Sequence, residues 1–310
     1  MKKLLIIFIL IINLYALSFD EAVKSFNEKN YLKAYEQFSE LSLEDNSQAQ
    51  YNLALMNYNG LGVKENKELA FFWYEKSATL GNKIAQNNLA HMYYLGKVIK
   101  RDRKKAMLWF QKSAEQGYAL AQLNLAMLYE LNTKKEFQTK AFFWYTKAAD
   151  QGVLFAQNNL ASMYFFGHGT KVDYLKAIFY YKKAASLNDA TAQTNLAMIY
   201  LNGDGIEKDI DKAVYWFAKA SKLGNVRAQL KLADIYREGN LVEHDYKKAF
   251  DLYSLAVKKD KTKAMFYLGY FYFNALGVEK DIEKSVFWMK KAKSLNHKRS
   301  ANFLKIHKLN

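Results

Sequence analysis

Serine is the first residue type to test for chemistry. An acyl-transfer nucleophile of the S-x-x-K kind needs a lysine one helical turn on, so that the amine lies against the hydroxyl. No serine here has that partner: Ser77 is followed at that distance by Leu80, Ser113 by Gln116, Ser162 by Phe165 and Ser285 by Trp288. The histidines, His91, His168, His244, His297 and His307, lack the H-x-x-x-H spacing that turns two imidazoles toward one metal, and read as surface or loop residues. The chain has no cysteine, which removes thiolate ligands, thiol nucleophiles and disulfides. The run N-G-D-G-I at 202–206 lacks the third glycine of a dinucleotide loop and the acidic ladder of an EF-hand. These types and spacings imply no catalytic site, no metal and no cofactor.

Binding chemistry is better represented. Asparagine recurs at Asn52, Asn88, Asn124, Asn159 and Asn195, and the series continues as Lys231 and Tyr267. An amide offers donors and an acceptor, so such a column suits the backbone of an extended peptide. It suits equally well a tie between neighbouring structural units, and the sequence leaves both open. Three residues after each member the side chain varies: Leu55, His91, Met127, Ser162, Met198, Asp234, Tyr270. His91, Met127, Met198 and Tyr270 are the specificity candidates in that slot; an unconstrained solvent position is the alternative. Glutamines at 50, 86, 122, 157, 193 and 229 sit nearer the apolar stripe and read as ties between neighbours. Two lysine ladders, Lys105, Lys140, Lys176, Lys212, Lys248, Lys284 and Lys76, Lys112, Lys147, Lys183, Lys219, Lys291, lie seven residues apart within a unit and predict a basic stripe on one outer face. That stripe is either a solvated face or an attractor of anionic partners.

The elements that position these columns follow from a period of about 36 residues. Ala49, Ala85, Ala121, Ala156, Ala192, Ala228 and Ala264 are each followed four residues later by leucine (Leu53 to Leu268). Four further on comes an aromatic, Tyr93 to Tyr272, with Asn57 in the first unit. Steps of four place all three on one helix face. A second ladder, Ala70, Ala106, Ala141, Ala177, Ala213, Ala249 and Ser285, is followed three residues later by a large side chain (Trp73, Trp109, Trp144, Tyr180, Trp216, Leu252, Trp288) and seven later by a small one. Two helices per unit are predicted, with the large residues filling the space between them. Asn66, Asp102, Asp173, Asp209, Asp245 and Asp281 are placed to cap the second helix, and glycine or Asx after it to end it. The third unit is one residue short, has Phe137 at the cap position, and is expected to have a different loop.

The pattern AQ-x-N-L-A-x-x-Y, G-x-G, D-x-x-K-A-x-x-W-x-x-K-A-A resembles the Sel-one-like repeat, a variant of the tetratricopeptide unit. The resemblance implies an all-α, right-handed α/α superhelical solenoid of helix–loop–helix repeats used for protein–protein interaction. Seven repeats are expected over 47–297 (47–82, 83–118, 119–153, 154–189, 190–225, 226–261, 262–297), between a capping hairpin at 19–46 and a capping helix at 298–310. Some envelope relatives of this family are cysteine-rich and described as penicillin-binding proteins or β-lactamases; a chain without cysteine matches them incompletely. Residues 1–18 (Lys2, Lys3, the apolar run Leu4–Ile12, then A-L-S) read as a signal peptide cleaved near Ser18. Export to the periplasm, or secretion, is therefore expected, with no transmembrane segment in the mature chain. The 46 Lys+Arg exceed the 30 Asp+Glu, a net charge of +16, but an exported chain is not expected to meet nucleic acid. The reading is an exported scaffold that binds an envelope protein or peptide on its concave face; the alternatives are an anionic polymer or lipid on the lysine stripe, and β-lactam chemistry by resemblance.

Overall fold

An apolar stripe of alanine, leucine and tyrosine at steps of four cannot hide itself in one helix, so each helix must find a partner. The computed structural model describes residues 18–259 and 262–309; apart from Ser18, the expected signal peptide lies outside the described residues. Seventeen α-helices and no strand occur among them. Helices α1 (Phe19–Asn27) and α2 (Tyr31–Ser42) form a hairpin. Then come seven helix pairs: α3 (Ser47–Asn59) with α4 (Lys67–Thr79), α5 (Lys83–Leu95) with α6 (Arg103–Glu115), α7 (Ala119–Glu130) with α8 (Lys135–Asp150), α9 (Leu154–Phe166) with α10 (Tyr174–Ser186), α11 (Ala190–Asn202) with α12 (Ile210–Lys222), α13 (Val226–Glu238) with α14 (Tyr246–Ala256), and α15 (Thr262–Asn274) with α16 (Ile282–Ser294). A last helix, α17 (Lys298–Ile306), follows. No described helix is long and apolar enough to cross a membrane. The chain divides into two compact units, one up to Val153 and one from Leu154. Within each, every helix packs on the next in sequence, the arrangement of a helical-repeat solenoid.

The boundaries are set by short-range hydrogen bonds. Asn66, Asp102, Asp173, Asp209, Asp245 and Asp281 each accept a first-turn N–H at the start of the second helix. The backbone N–H of each of these residues donates to the carbonyl nine residues back, on Asn57, Tyr93, Tyr164, Tyr200, Tyr236 and Tyr272, closing every such loop the same way. The third repeat lacks this clasp. There α8 starts at Lys135 with no side-chain cap, and Gln138 Nε2 reaches back to the Glu130 and Asn132 carbonyls at 3.1 and 2.6 Å. At the far ends of the second helices Gly81, Gly117, Gly152 and Gly224, with Asn188 and Asn296, take positive φ. The second loop glycine also does inter-repeat work: at Gly62 and Gly277 the chain lies so close to Tyr31 and Tyr246 of the preceding hairpin that a Cβ would sit 2.5 Å from their backbone.

The core is built by the expected stripe and by one column that the sequence reading misplaced. Leu53, Leu89, Leu125, Leu160 and Leu196 are fully buried with their alanines. The tryptophan column is only half-buried. The space between helices is filled instead by the next residue along, Tyr74, Phe110, Tyr145, Tyr181, Phe217, Tyr253 and Met289. Small residues at the following turn allow close approach; Ser77 and Ser113 use it to donate to the Ser47 and Lys83 carbonyls at 2.6 Å. The glutamine column ties neighbours together: Gln50, Gln86, Gln122, Gln193 and Gln229 donate to a last-turn carbonyl of the preceding helix at 3.1–3.3 Å. Gln116 and Gln151 bond Gln86 and Gln122 in turn.

Candidate interaction groove

The asparagine column is half-buried along the first helices, and within each unit Asn88, Asn124 and Asn195 stand beside the buried Tyr74, Phe110 and Tyr181 of the preceding second helix. In the unit up to Val153, Asn88 is hydrogen-bonded to the Tyr74 hydroxyl, whose pKa burial drives far above its usual value. Asn124 Nδ2 lies 3.0 Å from Asn87 Oδ1 and 3.0 Å from His91 Nε2. An amide nitrogen has only hydrogens to offer, so Nε2 is the acceptor and His91 is neutral. Its burial, edge-on to the Phe110 ring at 5.1 Å, lowers its pKa in the same sense. His91 is thus a packed, hydrogen-bonded residue, not the surface or loop histidine expected. Asn88 and His91 line a hollow of about 290 Å³ with Leu55, Tyr58 and Leu95. His91, Asn124 and Met127 line another of about 150 Å³ with Phe110 and Leu131.

The larger hollow lies in the unit from Leu154. It measures about 410 Å³ and is lined by Asn159, Asn195 and Met198 together with Ser162, Phe165, Phe166, Tyr181, Asn202, Asp204 and Arg227. Ser162 and Asn195 both hydrogen-bond the Tyr181 hydroxyl. Burial pushes that hydroxyl up to about 12, although the two hydrogen bonds and the Arg227 charge pull the other way. The floor is therefore neutral and amide-rich, apolar rings stand on the rim, and one guanidinium lies at one side. Arg227 also borders a second hollow of about 330 Å³ with Lys231, Asp234 and Lys263. Beyond it the groove fills in: Tyr267, in the asparagine slot, stacks on Tyr253 at 4.9 Å with the Arg237 guanidinium over its face. Tyr253 donates to Asp234 at 2.7 Å, and Lys263 pairs with the same carboxylate.

Of the residues singled out from sequence, Asn159, Asn195 and Met198 meet in one hollow, Asn88 with His91 in another, and His91, Asn124 and Met127 in a third. Asn52 lines none of these, and Tyr270 leans on Phe303 of α17 at 6.4 Å. Asn88, Asn124 and Asn195 make hydrogen bonds to neighbouring side chains, as the tie reading of the column expects; with Asn159 they also border the hollows. Sequence reasoning missed Tyr74, Tyr181 and Arg227. The aromatic column was visible at constant spacing, one residue beyond the one chosen; Arg227 had no repeating signal.

Seven consecutive segments match the family model described as Sel1 repeat, at 47–82, 83–118, 119–153, 154–189, 190–225, 226–261 and 262–297. The chain belongs to the Sel1 repeat family. It is similar to the crystal structure of a Sel1 repeat protein from Oxalobacter formigenes, with 28% identity over 90% of this chain and 80% of that one and a TM-score of 0.75. It is also similar to a protective antigen present in uropathogenic Escherichia coli strains and displaying an SLR fold, with 26% identity over 88% and 68% of the two chains and a TM-score of 0.67. No curated protein matches it by sequence.

The outer face of these Sel1 repeats divides the lysine ladders by role. Lys105, Lys140, Lys176, Lys212, Lys248 and Lys284 each lie 5.1–5.8 Å over the first-helix tyrosine ring of their own repeat. Four of them also pair with the capping aspartate, as Lys212 does with Asp209 at 2.6 Å. The hydrogen-bonded Lys212 ammonium holds Asp209 below the usual carboxylate range. This ladder fastens the loop to the helix pair, and the single free stripe expected from sequence is really one engaged ladder and one free one. Among the described residues no group of three or more histidines and carboxylates is placed to hold a metal ion.

Proposed function

We propose that this Sel1 repeat chain is an exported, non-catalytic scaffold that holds an extended segment of a partner protein along its first-helix groove. The observation that carries the reading is the hollow of about 410 Å³ where Asn159, Asn195, Tyr181, Met198 and Arg227 converge. Amides there match peptide groups, Met198 and the phenylalanines take apolar side chains, and Arg227 favours a carboxylate on the partner. Sel1 repeats point to protein partners in general. The choice of an envelope partner rests on the export-type residues at 2–18.

The test places a photo-crosslinking side chain at position 198 and, separately, at position 290 on the outer face, in the cell that makes the protein. A discrete adduct from position 198 alone, lost when Asn159→Ala and Asn195→Ala are combined at unchanged helicity, is expected. Equal adducts from both positions, or an adduct indifferent to the asparagines, would reject the groove. Nitrocefin turnover by the purified chain would reject the non-catalytic reading.

A further inference from the structure

The second helices carry apolar surface that nothing in the described fold covers. Phe72, Leu108, Phe143, Phe179, Tyr215 and Phe287 occupy one slot, two residues after the buried small residue, and are exposed by 44 to 56%. One exposed apolar residue is ordinary; the same slot in every repeat but that of Asp251 is not scatter. Packing does not ask for them, because the interior is already filled by the column from Tyr74 to Met289. Five of the six touch the aromatic that follows them edge-to-face at 4.9–5.1 Å, except Leu108, so the slot demands apolar bulk and not a flat ring.

The free lysine ladder accompanies this slot one turn on. Lys76, Lys112, Lys147, Lys183, Lys219 and Lys291 lie 4.4–5.7 Å over the exposed aromatic or its tryptophan neighbour. Among the described residues none of them forms an ion pair. Charge and apolar surface are therefore presented together. In the repeat 154–189 the face is purest: Leu175, exposed by 68%, precedes Phe179, and Lys182 and Lys183 follow with no carboxylate among them. In the first, fifth and seventh repeats Glu75, Asp211 and Glu283 stand within a turn of the slot and dilute the charge.

We infer that this outer face docks on an anionic phospholipid surface, the apolar column entering the interfacial layer and the free lysines meeting lipid phosphates. The inference is made for each of the two units by itself. Charge complementarity selects the occupant's sign, and the net charge of +16 adds long-range attraction. The apolar column selects lipid over an anionic polysaccharide or acidic protein chain. A polar polymer gains nothing from Leu108 or Leu175, whereas a bilayer interface rewards aromatic, aliphatic and basic groups at one level. This surface lies on the second helices and the groove on the first, so either can fail without the other.

All five tryptophans, at 73, 109, 144, 216 and 288, stand beside the column, and none lies in residues 1–18. Their fluorescence therefore reads this face and not the apolar N-terminal run. With the full chain, vesicles of brominated phosphatidylglycerol should quench it, brominated phosphatidylcholine should not, and added salt should reverse the quenching. Lys182→Gln with Lys183→Gln should weaken binding about twenty-fivefold at low salt, taking roughly fivefold for each lysine near a charged surface. Phe179→Ser should weaken it about tenfold through lost apolar burial. Neither variant should shift melting, and neither should alter the adduct from position 198. The inference is overturned by vesicle binding without quenching, by equal affinity for the two lipids, or by absence of binding. Indifference to Phe179→Ser overturns it too, and poly-glutamate bound as tightly as vesicles would then assign the lysines to an anionic polymer.

Discussion

Alanine at Gly277 and alanine at Gly224 should have unequal consequences, although both glycines hold a positive φ, 67° and 79°. Forcing an L-residue into that region costs about 1 kcal/mol at either site. Around Gly224 a Cβ would meet nothing within 4 Å, so the conformational cost stands alone. At Gly277 the Cβ would lie 2.5 Å from the Tyr246 carbonyl carbon and the Lys247 nitrogen, and 2.6 Å from the Tyr246 oxygen. Those atoms are backbone at the start of α14, held by the Asp245 cap and clasp, so no rotamer change relieves the contact. The last loop must move off the preceding repeat by roughly 1 Å, which adds about 2 kcal/mol by the usual cost of overpacking. At about 3 °C per kcal/mol for a chain of this size, Gly224→Ala should lower the melting midpoint by about 3 °C and Gly277→Ala by about 9 °C. Far-UV circular dichroism on the two variants, side by side, makes the measurement. Matching shifts would show that the loop glycines matter only for their φ and that the loop does not bear on the neighbouring repeat.

Leu196→Asp should cost about 4 kcal/mol or more, because the side chain is fully buried among apolar neighbours and a carboxylate there would have no partner; a melting curve like that of the unsubstituted chain would contradict the assigned face. Acid should loosen the groove at His91. Its folded pKa is lowered below the ordinary 6.5, so the unfolded chain takes up the proton first. Its contribution is therefore complete above that value and drains away as pH falls toward the folded pKa. Between about pH 7.5 and about pH 5.5 the unsubstituted chain should lose more melting temperature than His91→Gln, whose amide keeps a bond to Asn124 at both pH values; equal losses would place the titration elsewhere, for instance at His297.

The Sel1 repeat helices were legible in the sequence because what starts and ends them is local. Asp209 caps a helix three residues away, and Asn188 ends one within its own turn; neither needs a distant partner. Ala192, Leu196 and Tyr200 mark an inward stripe by spacing alone. The irregular third loop was also visible, in Phe137 at a cap position and the unit one residue short, though not the device that replaces the clasp, which is the Gln138 side chain. The candidate groove was less legible. Asn159, Asn195 and Met198 were found by periodicity, but periodicity cannot say whether an amide faces a ligand, a neighbour or both.

Every column in such a chain repeats every 36 residues or so, including the ones in solvent. Adjacent columns differ by about 100° around the helix axis, and which of two neighbours turns inward depends on how the paired helices cross. Hence Trp216 and Phe217 carried the same sequence signal, and packing alone buried Phe217 and left Trp216 at the edge. Likewise the two lysine ladders were indistinguishable until the loops folded back and set one of them beside the capping aspartates. Local rules wrote the rods and their ends; contact between rods decided which side chains remained free to bind.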